Sequence, residues 1–345
     1  MTEFYKPEFI FLTQEDVIKA GALDMPAALD DVELTYKLFS SGQVNQPHKP
    51  VFRFDDPETG EAQKYLAVSM PVYVGGSVNR IGHKWAAESM DNAKRGDMPM
   101  GIDVILLHNL QYAIPDAIME AGLITAMRTS AVAGVGARNL ANPDSKVAGL
   151  VGAGVIGRTM IMALTSAMSK LEEIRIFDLN RERCLGLVKE FEDVIKVRVV
   201  DSVEDAFKDA DIVTSQTTSR KPFIKDEWIP KGSFYAHMSF AEAEKPAYIN
   251  TDRLVVDNWE TLKTWDFFTP TQLCKAGTIK NEDVTDIGEI LIGEKPGRKT
   301  RDERILFANL GMGCLDITIA ERIYKSAKAQ GLGQKLSLWE KPLWI

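Results

Sequence analysis

The sequence is poor in the residues that build disulfide frames and metal centres. It holds three cysteines, Cys184, Cys274 and Cys314, and four histidines, His48, His83, His108 and His237. The cysteines are odd in number, widely separated and never in a C-x-x-C pair. That excludes a disulfide-stapled scaffold and points to reduced thiols in a cytoplasmic protein. The histidines show no ligand spacing, so no metal is expected. Excess positive charge is lacking too: 41 Lys and Arg stand against 49 Asp and Glu, a formal charge of −8. A nucleic-acid surface needs clustered cations to displace counterions from phosphates, so no such partner is expected. No apolar run approaches the roughly 20 residues that span a bilayer. Charges also interrupt MTEFYKPEFIFLTQEDVIK throughout, leaving no signal-peptide core and no expected membrane partner.

What is present fits a globular protein of two domains. The 345 residues exceed the size at which one core usually stops growing, with 45% hydrophobic and 26% charged residues. Residues 13–41 are expected to be helical, with Thr13 able to cap, apolar residues at near-helical spacing and Gly42 as the stop. VFRFDD and KYLAVSMPVYV flank the turn Asp56-Pro57-Glu58-Thr59-Gly60 and read as an antiparallel pair. RIGHKWAAES and GIDVILLHNL are further short strands. Residues 114–140 are expected to return to helix, with Ala126, Ala131, Ala133 and Gly136 suited to close packing.

From Lys146 the pattern alternates. KVAGLVG, EIRIFD, IKVRVV, DIVTSQ, GSFYAHMS and RLVVDN read as strands, with helices over 154–169, 180–191 and 203–208 between the earlier ones. Such alternation implies a doubly wound parallel sheet. A last long helix is expected over RILFANLGMGCLDITIAERIYKSAKAQG, ending at Gly331, and 141–146 and 293–300 have linker composition.

VAGLVGAGVIGRT, residues 147–159, carries the spacing G-x-G-x-x-G. Gly152 permits a tight bend. Gly154 lets backbone N–H groups there, with those of Val155 and Ile156, approach a pyrophosphate at a helix N-terminus. Gly157 allows close helix–strand packing. The motif follows a strand, opens a helix, and is followed 21 positions after Gly157 by Asp178 at the end of the next strand. A carboxylate there accepts hydrogen bonds from adenosine ribose hydroxyls and favours NAD over NADP. Arg181 and Arg183 close behind leave NADP open as the lesser choice. GEKPGRKT has the wrong glycine spacing for a phosphate loop and no strand before it.

AMRTSAVAG places Arg128 in a helix of small and apolar residues, where it needs a partner. Two readings stand: an ion pair with a buried carboxylate, or a bidentate clamp on a substrate carboxylate. Lys84, a lone cation in a strand, reads by itself as a solvated side chain.

The segments MPVYVGG, GHKW, LITAMRTSAVAG, VAGLVGAGVIG, ADIVTSQTTSRKPFI and LGMGCLDITIAERIYKSAKAQGLG resemble, in this order, the ornithine cyclodeaminase/mu-crystallin family over roughly residues 13–333. The resemblance implies an α/β protein in which a Rossmann-type doubly wound sheet, residues 141–311, is inserted into an α+β domain. That domain, residues 1–140 plus 312–345, would bind substrate and form a homodimer. It further implies that Lys84 and Arg128 contact a substrate carboxylate, with Thr129 beside the cofactor. Gly152, Gly154, Gly157 and Asp178 match cofactor contacts, and Thr217 and Thr218 the loop lining the dinucleotide. Lys49 stands where the family has an arginine, keeping its charge without the planar fork.

A departure comes later. Where ornithine cyclodeaminases carry a general acid/base aspartate, HMSFAEAEKPAY puts Ala241, with Glu242 and Glu244 nearby. The leading expectation is therefore an NAD(H)-dependent oxidoreductase at a C–N bond of a small amino acid, amine or cyclic imine, its proton handled by Glu242, Glu244, His237 or water. The alternatives are an ornithine or lysine cyclodeaminase using catalytic NAD, and an accessory subunit of an amine (tyramine) oxidase.

Overall fold

The computed structural model describes residues 5–61, 64–239 and 241–344. The chain divides into two compact units, Met1–Asp24, Ser41–Arg128 and Met312–Ile345 forming one, Met25–Ser40 and Thr129–Gly311 the other.

The second unit is built on an eight-stranded sheet. Its strands run in the order Lys196–Val199, Glu173–Phe177, Val147–Val151, Ile212–Ser215, Phe234–His237, Ile305–Ala308, Arg253–Val256 and Val284–Asp286. Every pairing is parallel. The strands alternate with helices, as a parallel sheet buried on both faces requires. The strand order reverses beside Val147–Val151, the topological switch point where open α/β sheets bind ligands.

The helix Gly122–Leu140 ends in this unit, and its small residues let it lie close to the sheet. A Cβ on Gly136 would come within 2.8 Å of both Phe234 and Phe307. The helix Met25–Ser40 also belongs here, because Tyr36 donates from its hydroxyl to the buried Asp257 at 2.5 Å. Asp257 further accepts from the backbone N–H of Leu310 at 2.8 Å and of Gly311 at 2.9 Å.

The first unit holds a second eight-stranded sheet. Its order is Gln334–Ser337, Glu8–Leu12, Pro115–Glu120, Gly101–His108, Arg80–Ser89, Tyr65–Val74 and Val44–Asn45, with Val51–Phe54 also on Tyr65–Val74. The helix Gly313–Gln330 covers one face so closely that a Cβ on Gly82 would meet Ile317 at 2.5 Å. Strand alternation puts Gly82, Lys84 and Ala86 on the covered face and leaves Ile81 and Trp85 exposed on the other.

Several elements differ from expectation. The helix over 13–41 is two helices, Gln14–Lys19 and Met25–Ser40, since Gly21 takes φ +96° and Pro26 opens a fresh helix. Residues 115–120 form a strand, held antiparallel to Gly101–His108 and parallel to Glu8–Leu12. The last expected helix begins only at Gly313, because Ile305–Ala308 is a strand in the middle of the parallel sheet. Residues 25–40 and 129–140 group with the nucleotide-type unit, where the sequence had put them with the other.

Candidate functional site

The glycine turn joins Val147–Val151 to the helix Val155–Ala167. Gly152 has φ +107°, and a Cβ there would stand 2.6 Å from the backbone oxygen of Gln216, at the end of the neighbouring strand. A Cβ on Gly157 would lie 2.2 Å from the backbone oxygen of Gly152. Both positions are closed to any larger residue. Gly154 differs: among the described residues nothing lies within 4 Å of its Cβ position. It is the N-cap of the helix, with no side-chain hydrogen bond to the first turn and no acidic residue there. Unsatisfied N–H groups and the positive end of the helix dipole therefore meet open space, a cradle that fits a pyrophosphate. Val155 is exposed and Ile156 half-buried.

Asp178 is half-buried beyond the next strand. Its Oδ2 accepts from the backbone N–H of Ala153 at 2.7 Å and its Oδ1 from that of Asn180 at 2.8 Å. Arg181 is engaged by Asp201 at 2.7 Å in an exposed pair. Next to Thr129, which is half-buried, Ser130 bonds Thr159 Oγ1 at 2.7 Å and the backbone oxygen of Ile156 at 3.3 Å, tying its helix to the glycine-turn helix.

The loop after Ile212–Ser215 carries Thr217, half-buried, and Thr218, exposed. The backbone N–H of Thr217 donates to Glu242 Oε1. Glu242 has no exposed surface, and its backbone oxygen accepts from Phe223 at 2.8 Å and Ile224 at 2.9 Å. Its Oε2 lies 3.8 Å from Nε2 of the equally buried His237, and among the described residues neither atom has a hydrogen-bond partner. Burial pushes the His237 pKa down, against the pull of Glu242. Glu242, one of the expected proton carriers, thus also holds the Thr217 loop. Ala241 and Glu244 are half-buried, and Phe240 of SFAEAE lies outside the described residues.

In the first unit, four charged side chains meet under the helix Gly313–Gln330. Lys84 is 1% exposed, so it is no solvated chain. Its Nζ donates to Thr125 Oγ1 at 2.6 Å, lies 3.0 Å from Asp316 Oδ1 and 3.1 Å from Asp103 Oδ2. Thr125 and Arg128 share a face of their helix at i, i+3, and Thr125 Oγ1 also bonds Asp103. Arg128 Nε donates to the same Asp316 oxygen at 3.2 Å. Burial opposes the charge on Asp316, but Arg128 and Lys84 outweigh it and hold its carboxyl below the usual range. Arg128 thus does have a buried carboxylate partner. Lys49 sits half-buried just ahead of Val51–Phe54.

Asp103 and Asp316 were not singled out from the sequence, although a signal existed. Asp103 interrupts the inward apolar positions of GIDVILLH, and Asp316 is a lone charge in GCLDITIA. Among the described residues no group of His, Cys, Asp and Glu could hold a metal ion, and no helix is long and apolar enough to cross a membrane.

A switch-point glycine turn closed by an acidic side chain defines a dinucleotide-binding fold of Rossmann type. The chain belongs to the ornithine cyclodeaminase/mu-crystallin family, which it matches over residues 8–331. It is 29% identical over 336 residues to N-((2S)-2-amino-2-carboxyethyl)-L-glutamate dehydrogenase of Staphylococcus aureus, covering 96% of this chain and 99% of that one. Two solved structures superpose with a TM-score of 0.84 at 26% identity. One is Δ1-pyrroline-2-carboxylate reductase of Thermococcus litoralis in complex with NADH and L-proline, covering 94% of this chain and 99% of that one. The other is an archaeal alanine dehydrogenase dimer with bound NAD, covering 96% and 100%.

Proposed function

We propose that this chain is an NAD(H)-dependent oxidoreductase acting at the C–N bond of a small amino acid or imine that also carries a carboxylate. The observation that carries the reading is the open cradle at Gly154, with Asp178 braced beside it. Alanine, proline and the amino-carboxyethyl glutamate named for the relatives share one unit, a carbon bearing both nitrogen and carboxylate.

NAD(H), when bound, supplies or accepts the hydride exchanged with that carbon. Gly152, Gly154 and Gly157, with the N–H groups of Val155 and Ile156, hold the pyrophosphate. Asp178 takes the ribose hydroxyls, and Thr129, Thr217 and Thr218 line the rest. Arg128, supported by Lys84, receives the substrate carboxylate, and Lys49 adds a further cation. Orientation by this clamp contributes much of the rate. Ala241 offers no titratable group, so cyclodeamination is not proposed.

The protein works in the cytoplasm, its cysteines unpaired among the described residues. It pairs as a homodimer through the uncovered sheet face, where Phe52, Phe54, Ile81, Trp85, Ile102 and Val104 are exposed. Trp85→Glu is expected to yield monomers in sedimentation.

The decisive experiment is a panel of α-amino acids with NAD and of cyclic imines with NADH, followed at 340 nm. Turnover that Arg128→Ala abolishes, with NADH affinity nearly unchanged, supports the reading. Ammonia release from ornithine or lysine without net absorbance change would sink it.

A further inference from the structure

The cluster around Lys84 contains one buried oxygen without a hydrogen-bond partner among the described residues. Asp316 is fully buried, and its Oδ1 alone takes both Lys84 Nζ at 3.0 Å and Arg128 Nε at 3.2 Å. Its Oδ2 has no hydrogen-bond partner among the described residues. A carboxylate placed only to neutralise two cations is best served by giving each its own oxygen. Here both converge on one, which draws two like charges close in a low-dielectric interior.

The geometry has a mechanical result. An arginine gripped at Nε is held by the inner corner of its planar group, so rotation of the guanidinium is restricted. Lys84 donates to Thr125 and Asp316 and pairs with Asp103 at 3.1 Å, which fixes it as the other side of the grip. Asp316 itself stands in the first turn of the helix Gly313–Gln330, a rigid element packed on the sheet that carries Lys84.

We propose that Asp316 is the positioning residue of the carboxylate clamp, setting the direction in which Arg128 presents its guanidinium to the substrate anion. This rests on the reading that Arg128 receives the substrate carboxylate. A purely structural ion pair would affect stability alone. A positioning residue changes recognition of the anion while leaving the nucleotide turn untouched.

The test uses pyrrole-2-carboxylate, a planar carboxylate with nothing to reduce, bound to the NADH-loaded full chain and measured by calorimetry. Asp316→Asn keeps the shape and removes the charge; it is expected to weaken the probe about tenfold or more. Asp316→Glu keeps the charge and shifts the oxygen by one methylene, with an expected loss of about three- to tenfold. Both should bind NADH within about twofold of wild type and raise KM for the reducible imine more than they lower kcat. If Asp316→Asn does not fold, the Glu variant decides.

Unchanged probe affinity in a folded variant overturns the proposal. So does a loss of NADH binding in step with the probe, or failure of the wild type to bind the probe. Wild type that binds the probe but turns over no amine or imine would refute the reading of the reaction. The role of Asp316 would still be decided by the probe.

Discussion

Asp178 Oδ2 accepts a hydrogen bond from the backbone N–H of Ala153 at 2.7 Å, inside the glycine turn itself. The residue expected to meet the ribose thus also braces the loop that cradles the phosphates. Asp178→Ala removes both supports and should weaken NAD by about 1–3 kcal/mol. Asp178→Asn, which keeps one acceptor, should cost less. Fluorescence titration with NADH measures both, and equal affinities across the three proteins would remove Asp178 from the cofactor site.

Two glycines of the same turn should separate folding from binding. Gly157→Ala forces a methyl against the backbone oxygen of Gly152, a contact of 2.2 Å with nothing flexible to yield. It should destabilise the second unit by about 2 kcal/mol or more. Gly154→Ala meets no atom of the described residues, and its backbone is already extended, so it should cost under about 1 kcal/mol. Its methyl would nevertheless occupy the phosphate cradle and weaken NAD. Normal melting with weakened NADH binding is the expected signature; full NADH affinity in Gly154→Ala would show that the cradle is used otherwise.

Glu242 offers a test between proton carrier and clasp. Glu242→Gln keeps an oxygen for the Thr217 N–H but cannot exchange a proton. If the clasp is the role, turnover should stay within about threefold of wild type, whereas loss of a general acid or base costs about 100-fold or more. Glu242→Ala leaves that N–H without its acceptor and should weaken NADH together with a stability loss of about 1–3 kcal/mol. A hundredfold drop in the Gln variant would return Glu242 to the chemistry.

Asp286 predicts a pH dependence of stability. Burial pushes its carboxyl up to about 6, despite hydrogen bonds from Trp259 N at 2.6 Å and Asn258 Nδ2 at 3.1 Å. The folded chain then holds this proton more tightly than the unfolded chain, whose value is about 4. Its contribution is therefore fully present below about pH 4, falls as the pH rises to about 6, and is flat above, a change of at most about 3 kcal/mol. Asp286→Asn should flatten that part of the wild-type Tm profile. Parallel profiles for the two proteins would show that Asp286 does not titrate there.

The nucleotide half was legible because its signals are local. Strand, glycines, helix and Asp178 fall within residues 147–178, and the turn is specified by the absence of side chains. The misread segments have neighbours that decide their state. Ile305–Ala308 is a run of four buried apolar residues, which periodicity alone does not distinguish from a helix. Residues 115–120 alternate Ala117 and Met119 inward, but only the flanking strands make that alternation visible. The carboxylate cluster was hidden by distance along the chain: Lys84 and Asp316 are 232 positions apart, and nothing near either one announces the other.

The late strand Ile305–Ala308 has a consequence for how the chain is made. It lies between Phe234–His237 and Arg253–Val256, pairing with both. During synthesis those two earlier strands emerge with their facing edges bare, and they stay so until about fifty further residues have left the ribosome. The parallel sheet is closed from its middle by one of its last pieces, so a nascent chain halted before residue 305 presents two bare edges. In that interval the inner edges of the sheet are open to pairing with another chain, a hazard that the arrival of one strand removes.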